Sequence, residues 1–162
     1  MVLNTKQKDV SNAVIAAVKA AVDAFGTNRD EMIPILNDIN RRLGYIPPEA
    51  IDEVSRLLKA PKSQLYSVAS FYRMLSTKPR GRNVIQFCES APCHVVGGKE
   101  VWESLKEQVH LKSGETSKDG KWTLLTTSCL GVCGVGPVMM VNDDIYGNIA
   151  PGEISSILSR YE

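Results

Sequence analysis

The sequence predicts an α/β chain in two parts, a helical bundle over residues 1–81 and an α/β domain over residues 82–162. Two observations carry this. Apolar residues before Thr77 recur at helical spacing, whereas after Asn83 they fall into short apolar runs separated by turns. All four cysteines lie in the second part, each close pair directly after a run that reads as a strand.

The first helix rests on Val10, Val14, Val18, Val22 and Phe25, with Ala21 beside them and Gly26 as its end. Lys6, Lys8 and Lys19 form no dense basic face, so this amphipathic stripe reads as core rather than as a membrane-surface helix. Asn28 and Glu31 have capping-box spacing ahead of Met32, Ile35, Leu36, Ile39 and Leu43, and Gly44 suits the C-cap. Pro34 prefers a first turn, which moves the expected start toward Ile33. Pro47 and Pro48 open a third helix on Ile51, Val54, Leu57 and Leu58, stopped by Pro61. Ser63 is the expected cap of a fourth, with Leu65, Val68, Ala69, Tyr72 and Leu75 as its buried face.

Thr77 to Gly81 breaks this pattern, and the domain boundary is placed there. Asn83 to Phe87 reads as a strand, Val95 to about His110 as a helix, and Lys121 to Thr127 as a second strand. Pro137 leads into an apolar strand, Val138 to Val141. Asn142, Asp143 and Asp144 form the expected hairpin turn and Ile145 to Ile149 the return. Ile154, Ile157, Leu158 and Tyr161 mark a last helix.

A formal net charge of +1 argues against a general polyanion binder. The charge is unevenly spread: residues 1–82 hold 13 basic and 8 acidic side chains, residues 83–162 hold 6 and 10. The early apolar run from Ala13 stops at Lys19, too short for a span or a signal core. The default compartment is therefore the cytoplasm, with no direct membrane insertion, and peripheral to a membrane only as part of a complex. Thiols stay reduced there, and close cysteine pairs more often hold metal or do redox work than form structural disulfides.

Four residues separate Cys88 from Cys93, three separate Cys129 from Cys133, and 35 lie between the pairs. Loops at the ends of neighbouring strands could bring four thiolates to one centre, which favours zinc or an iron-sulfur cluster. Zinc knuckles usually have two residues between ligands, and gaps of four and three fit that habit less well. A 2Fe-2S core is wider than one ion, and one arrangement gives each iron a cysteine pair. Gly131, Gly134 and Gly136 flank the second pair, and backbone N–H groups can approach closely at glycine. A nucleotide loop is rejected because this segment leads through Pro137 into a strand, not a helix.

Three other readings are weaker. Thioredoxin-type dithiol chemistry needs two residues between its cysteines, which neither pair has. A Rieske centre needs two histidine ligands, but His94 adjoins a cysteine and His110 is expected at the far end of a helix. Arg41, Arg42, Arg56, Lys59 and Arg73 raise the alternative of a zinc- or cluster-dependent nucleic-acid-binding sensor. They are interspersed with acids and form no concentrated recognition face, so no nucleic-acid partner is expected.

The segments Cys88-Glu89-Ser90-Ala91-Pro92-Cys93-His94-Val95 and Cys129-Leu130-Gly131-Val132-Cys133-Gly134, followed by Pro137-Val138 and the stretch from Asn142 to Gly147, resemble a known family. It is the small thioredoxin-like 2Fe-2S ferredoxin subunit of respiratory complex I and of related NAD-linked, electron-bifurcating hydrogenases and formate dehydrogenases. Leu43-Gly44-Tyr45-Ile46-Pro47 resembles its N-terminal helical region, so the likeness covers nearly the whole chain. The resemblance implies a thioredoxin-like domain after a helical bundle, with Cys88, Cys93, Cys129 and Cys133 as ligands of one 2Fe-2S cluster. It also implies a one-electron carrier in a multisubunit NAD(P)H-linked oxidoreductase, with no complete active site of its own. The implied partner is a flavin subunit that binds FMN and NAD(H) and holds a 4Fe-4S cluster, joined by further iron-sulfur or catalytic subunits. Met139 and Met140, in a strand where branched residues are usual, are expected to pack rather than ligate.

Overall fold

A computed structural model describes residues 5–161, with side chains from residue 12 onward. The expected burial of Val10 and the exposure of Lys6 and Lys8 lie outside the described residues. The chain divides into two compact units between Pro79 and Arg80.

The first unit is helical: α1 (Thr5–Phe25), a 3-10 turn (Arg29–Glu31), α2 (Met32–Leu43), α3 (Pro48–Leu58) and α4 (Lys62–Phe71). Its core joins Val14, Val18 and Ala21 to Ile35, Leu36 and Ile39, then to Ile46, Ile51, Val54 and Leu65. The apolar period thus does what it predicts, except at Phe25, which is exposed at the open end of α1. Gly44 takes the left-handed conformation that ends α2 at φ 78°, and Pro48 occupies the first turn of α3, where its missing N–H costs nothing.

Two expected caps do not form. Asn28 offers its backbone carbonyl, not its side chain, to Glu31, and the 3-10 turn it opens delays regular helix to Met32. This places Pro34 in the first turn of α2, where a proline is tolerated. Ser63 lies inside α4, whose cap is Pro61, already extended and so a ready stop for helical geometry. Helix α4 also ends before Tyr72, and Leu75 reaches the core from the following segment, held by Asn40. The Asn40 amide accepts from Ser76 N–H at 3.0 Å and donates to the Met74 carbonyl at 3.3 Å.

The second unit is built on a four-stranded sheet in the order β2 (Trp122–Thr127), β1 (Asn83–Cys88), β3 (Met139–Val141), β4 (Asp144–Tyr146). Strands β1 and β2 run parallel, with Cys88 opposite Thr127, and their crossover contains α5 (Ala91–Cys93), a π-turn (His94–Gly98) and α6 (Lys99–Val109). Strand β3 pairs antiparallel with both β1 and β4. One core gathers Ile85, Phe87, Leu124, Met139 and Val141 from the sheet with Val101 and Leu105 of α6 and Ile154 and Ile157 of α7 (Ile154–Leu158). Met139 is fully buried there, as its packing role requires.

The helix expected from Val95 begins earlier and is interrupted. Gly97 sits at φ 100° and breaks the helical path, leaving Val95 and Val96 exposed at 82% and 56%. The return strand is shorter than expected, because Ile149 leaves it to enter the core while Ile145 stays exposed. At the hairpin turn, Asn142 adopts φ 55°, accepts from Val84 N–H at 2.9 Å and donates to the Asn83 side chain at 3.0 Å. Among the described residues no helix is long and apolar enough to cross a membrane.

Candidate metal centre

Parallel neighbours end on the same edge of a sheet, so the loops after β1 and β2 leave it side by side. Cys88 is the last residue of β1 and Cys129 stands two residues beyond β2. Both loops are tied to the sheet: Cys88 N–H donates to the Val138 carbonyl at 3.1 Å and Glu89 N–H to that of Thr127 at 3.0 Å. Cys93 is placed by the short helix α5, which Pro92 helps to start and whose His94 N–H closes on Ser90 at 3.0 Å.

The first pair is sealed. Cys88 and Cys93 are 2% and 1% exposed, packed with Val138 against Leu130 and Val132. The second pair is open to solvent, with the Cys129 and Cys133 sulfurs 3.8 Å apart. A tetrahedral centre with metal–sulfur bonds of about 2.3 Å sets its thiolates about 3.8 Å apart, so this pair already stands at the spacing of two ligands on one ion. Gly131, at φ 83°, makes the turn between them and directs its N–H to the Cys129 sulfur at 3.2 Å. Among the described residues no three cysteine, histidine or carboxylate side chains converge on a single point. The four cysteines stand as two pairs.

The pairs are within electrostatic reach of each other. Burial and the neighbouring Cys88 push the Cys93 thiol up to about 11, and Cys133 adds to the rise. Cys133 is itself raised, first by the hydrogen bond it shares with Cys129 and also by the charge of Cys88. Burial pushes Cys88 up as well, but backbone N–H groups at Ser90 and Leu130 and the Cys93 thiol outweigh it, and its net shift is down. Four thiolates so placed repel one another unless cations lie between them.

A family model, the thioredoxin-like 2Fe-2S ferredoxin, matches residues 18–162. The chain belongs to that family. This ferredoxin is 33% identical over 158 residues to the E subunit of NADH-quinone oxidoreductase from Escherichia coli strain K12, an alignment covering 98% of this chain and 95% of that one. It is 36% identical over 138 residues to the protein of the same name from Buchnera aphidicola subsp. Baizongia pistaciae, covering 85% and 81%. In fold it superposes on a chain of an NAD+-reducing NiFe-hydrogenase with a TM-score of 0.70 at 18% identity. The match covers 80% of this ferredoxin but 22% of the hydrogenase chain.

The residues present fit a 2Fe-2S group. The donor set is wholly thiolate, which suits iron-sulfur chemistry, and the second pair has the separation of two ligands on one tetrahedral ion. Of the histidines, His94 follows Cys93 and lines the cavity beside Cys88 with Trp102, whereas His110 is exposed at the left-handed end of α6.

Several supporting residues gave no sequence signal. Gly98 packs so tightly that a Cβ there would lie 2.5 Å from the Cys93 carbonyl oxygen. Gly147 does the same for the second loop, where a Cβ would meet Val135 at 2.7 Å, and Asn148 N–H donates to the Val135 carbonyl at 2.6 Å. Neither glycine adjoins a cysteine in sequence. Phe87 and Trp102, with ring centroids 5.3 Å apart, line a cavity of about 110 Å3 beside Cys88.

Proposed function

We propose that this chain is a one-electron carrier in a multisubunit NAD(P)H-linked flavin oxidoreductase, holding one 2Fe-2S cluster on Cys88, Cys93, Cys129 and Cys133. The observation that carries this role is the end-to-end likeness to the E subunit of NADH-quinone oxidoreductase. The two cysteine pairs at adjacent strand ends support the ligand set. The nucleic-acid sensor reading gains no support from these relatives.

When bound, the cluster accepts and returns single electrons. The chain's own residues do the rest. Val138, Leu130 and Val132 exclude water from the Cys88 and Cys93 side. The Gly131 N–H directed at the Cys129 sulfur stabilises negative charge on a ligand, and such donors raise a cluster's potential. Cys129 and Cys133 face solvent, so they are the side on which an electron partner can approach. That partner is the FMN- and NAD(H)-binding subunit, which also holds a 4Fe-4S cluster, with further iron-sulfur or catalytic subunits beyond it. The assembly works in the cytoplasm, and the helical part, residues 1–81, serves as a docking element.

Capture of the tagged full chain from its own cells tests this. The preparation contains a flavoprotein that releases FMN, and NADH or NADPH bleaches the visible band of the cluster. A preparation with no flavoprotein, whose cluster neither nicotinamide reduces, contradicts the proposal.

A further inference from the structure

The two cysteine pairs differ in one respect that the ligand role does not require: one is sealed and the other is open. Cys88 and Cys93 are closed in by Val138, Leu130 and Val132, whereas Cys129 and Cys133 are exposed with sulfurs 3.8 Å apart. Disulfide formation needs the sulfurs to close to about 2.05 Å and a reagent to reach one of them. The exposed pair meets the access requirement, and the short Leu130-Gly131-Val132 link, with Gly131 at φ 83°, is the segment that must adjust. The sealed pair offers no such access.

We propose that Cys129 and Cys133 form a thiol–disulfide switch on the cluster-free chain, closed by a disulfide-class oxidant such as glutathione disulfide, and that the closed form does not accept a cluster. One thiolate of the pair attacks a glutathione sulfur, forming a mixed disulfide and releasing one glutathione thiolate. The second cysteine thiolate attacks the first cysteine's sulfur and releases the other glutathione. Two electrons pass from the cysteine sulfurs to the glutathione disulfide, and the two protons end on the two glutathione thiols. Cys88 and Cys93 remain reduced. The block on loading rests on the ligand set proposed above; the switch itself does not.

Both halves have separate readouts. Trypsin leaves Cys88 and Cys93 together in the peptide 83–99, and Cys129 and Cys133 together in the peptide 122–160. After the full-length cluster-free chain meets glutathione disulfide, the 122–160 peptide loses the mass of two hydrogens and the 83–99 peptide keeps both free thiols. Anaerobic reconstitution of that sample gives about a tenfold lower visible absorbance than the reduced chain, and dithiothreitol restores it. Mass loss in the 83–99 peptide instead, or stable glutathione adducts with no intramolecular closure, overturns the switch. Normal loading of a sample proven closed overturns the block. Failure of even the fully reduced chain to load counts against the ligand assignment, while the peptide masses still decide the switch. In Cys133→Ser the same treatment leaves glutathione on Cys129, a result that closure of Cys129 onto Cys88 or Cys93 would not give.

Discussion

Gly136 turns its bare Cα toward Cys93. A Cβ at this position would lie 3.3 Å from the Cys93 sulfur and 3.1 Å from Val96. The second cysteine loop thus passes close over the first, and a side chain at residue 136 would make Cys93 or Val96 give way.

Gly136→Val should consequently crowd the Cys93 sulfur. Overpacking of this kind costs about 1–3 kcal/mol. The reconstituted cluster should bleach faster in air than that of the parent, while urea unfolding of the helical unit is unchanged. An unaltered bleaching rate would show that the loops can part without disturbing the sulfurs.

Gly98→Ala acts on the same cysteine from the other side. Its Cβ would overlap the Cys93 carbonyl at 2.5 Å, and this close approach is to backbone rather than to a flexible side-chain tip. The π-turn between α5 and α6 has to open, at a cost of about 1–3 kcal/mol read by urea denaturation. Gly134→Ala is the control, because nothing lies within 4 Å of a Cβ there.

Cysteine-to-serine changes should separate the two pairs. In the cluster-free chain, Cys93→Ser places a hydroxyl in an apolar, sealed pocket and lowers stability by about 1–2 kcal/mol. Cys129→Ser, at an exposed position, changes it by less than about 0.5 kcal/mol. Both weaken the cluster or alter its EPR signal. Equal stability losses at the two positions would contradict the sealed and open description.

At the far edge of the sheet, the Tyr161 hydroxyl meets that of Tyr146 at 2.7 Å and donates to Asp144 Oδ2 at 2.7 Å. Burial raises the Tyr161 pKa, and its hydrogen bonds to Tyr146 and Asp144 raise it further. A raised pKa means that the folded chain favours the protonated phenol. The stabilisation is whole below the ordinary tyrosine value of about 10 and is lost as pH climbs above it. Tyr161→Phe should lose about 1 kcal/mol at neutral pH and show a shallower fall in stability between neutral and strongly alkaline pH. Parallel pH profiles for the two proteins would count against this network.

The core of both units was legible because it follows period. Ile35, Leu36 and Ile39 on one helical face, and Ile85 with Phe87 on one strand face, are buried where spacing puts them. The cysteine loops were legible from strand ends, since Cys88 ends β1 and Cys129 lies just beyond β2, which prove to be parallel neighbours. What spacing does not carry is contact between distant segments. Gly136 and Gly147 matter through atoms of Cys93 and Val135 that only the folded backbone brings near, and Gly98 through the π-turn that folds it back onto Cys93. The missed caps have a local cause: extended Pro61 already stops the chain at the position that a Ser63 cap would have to replace. The kink at Gly97 was equally hidden, because Val95 and Val96 look like core residues until the π-turn sends them outward.

Metal and sulfide analysis of the anaerobically reconstituted chain, read together with EPR after one-electron reduction, tests the thiolate centre most directly. A 2Fe-2S centre makes the protein reddish-brown, with about two irons and two acid-labile sulfides per chain and a paramagnetic reduced state. A colourless protein carrying stoichiometric zinc and no sulfide would contradict it.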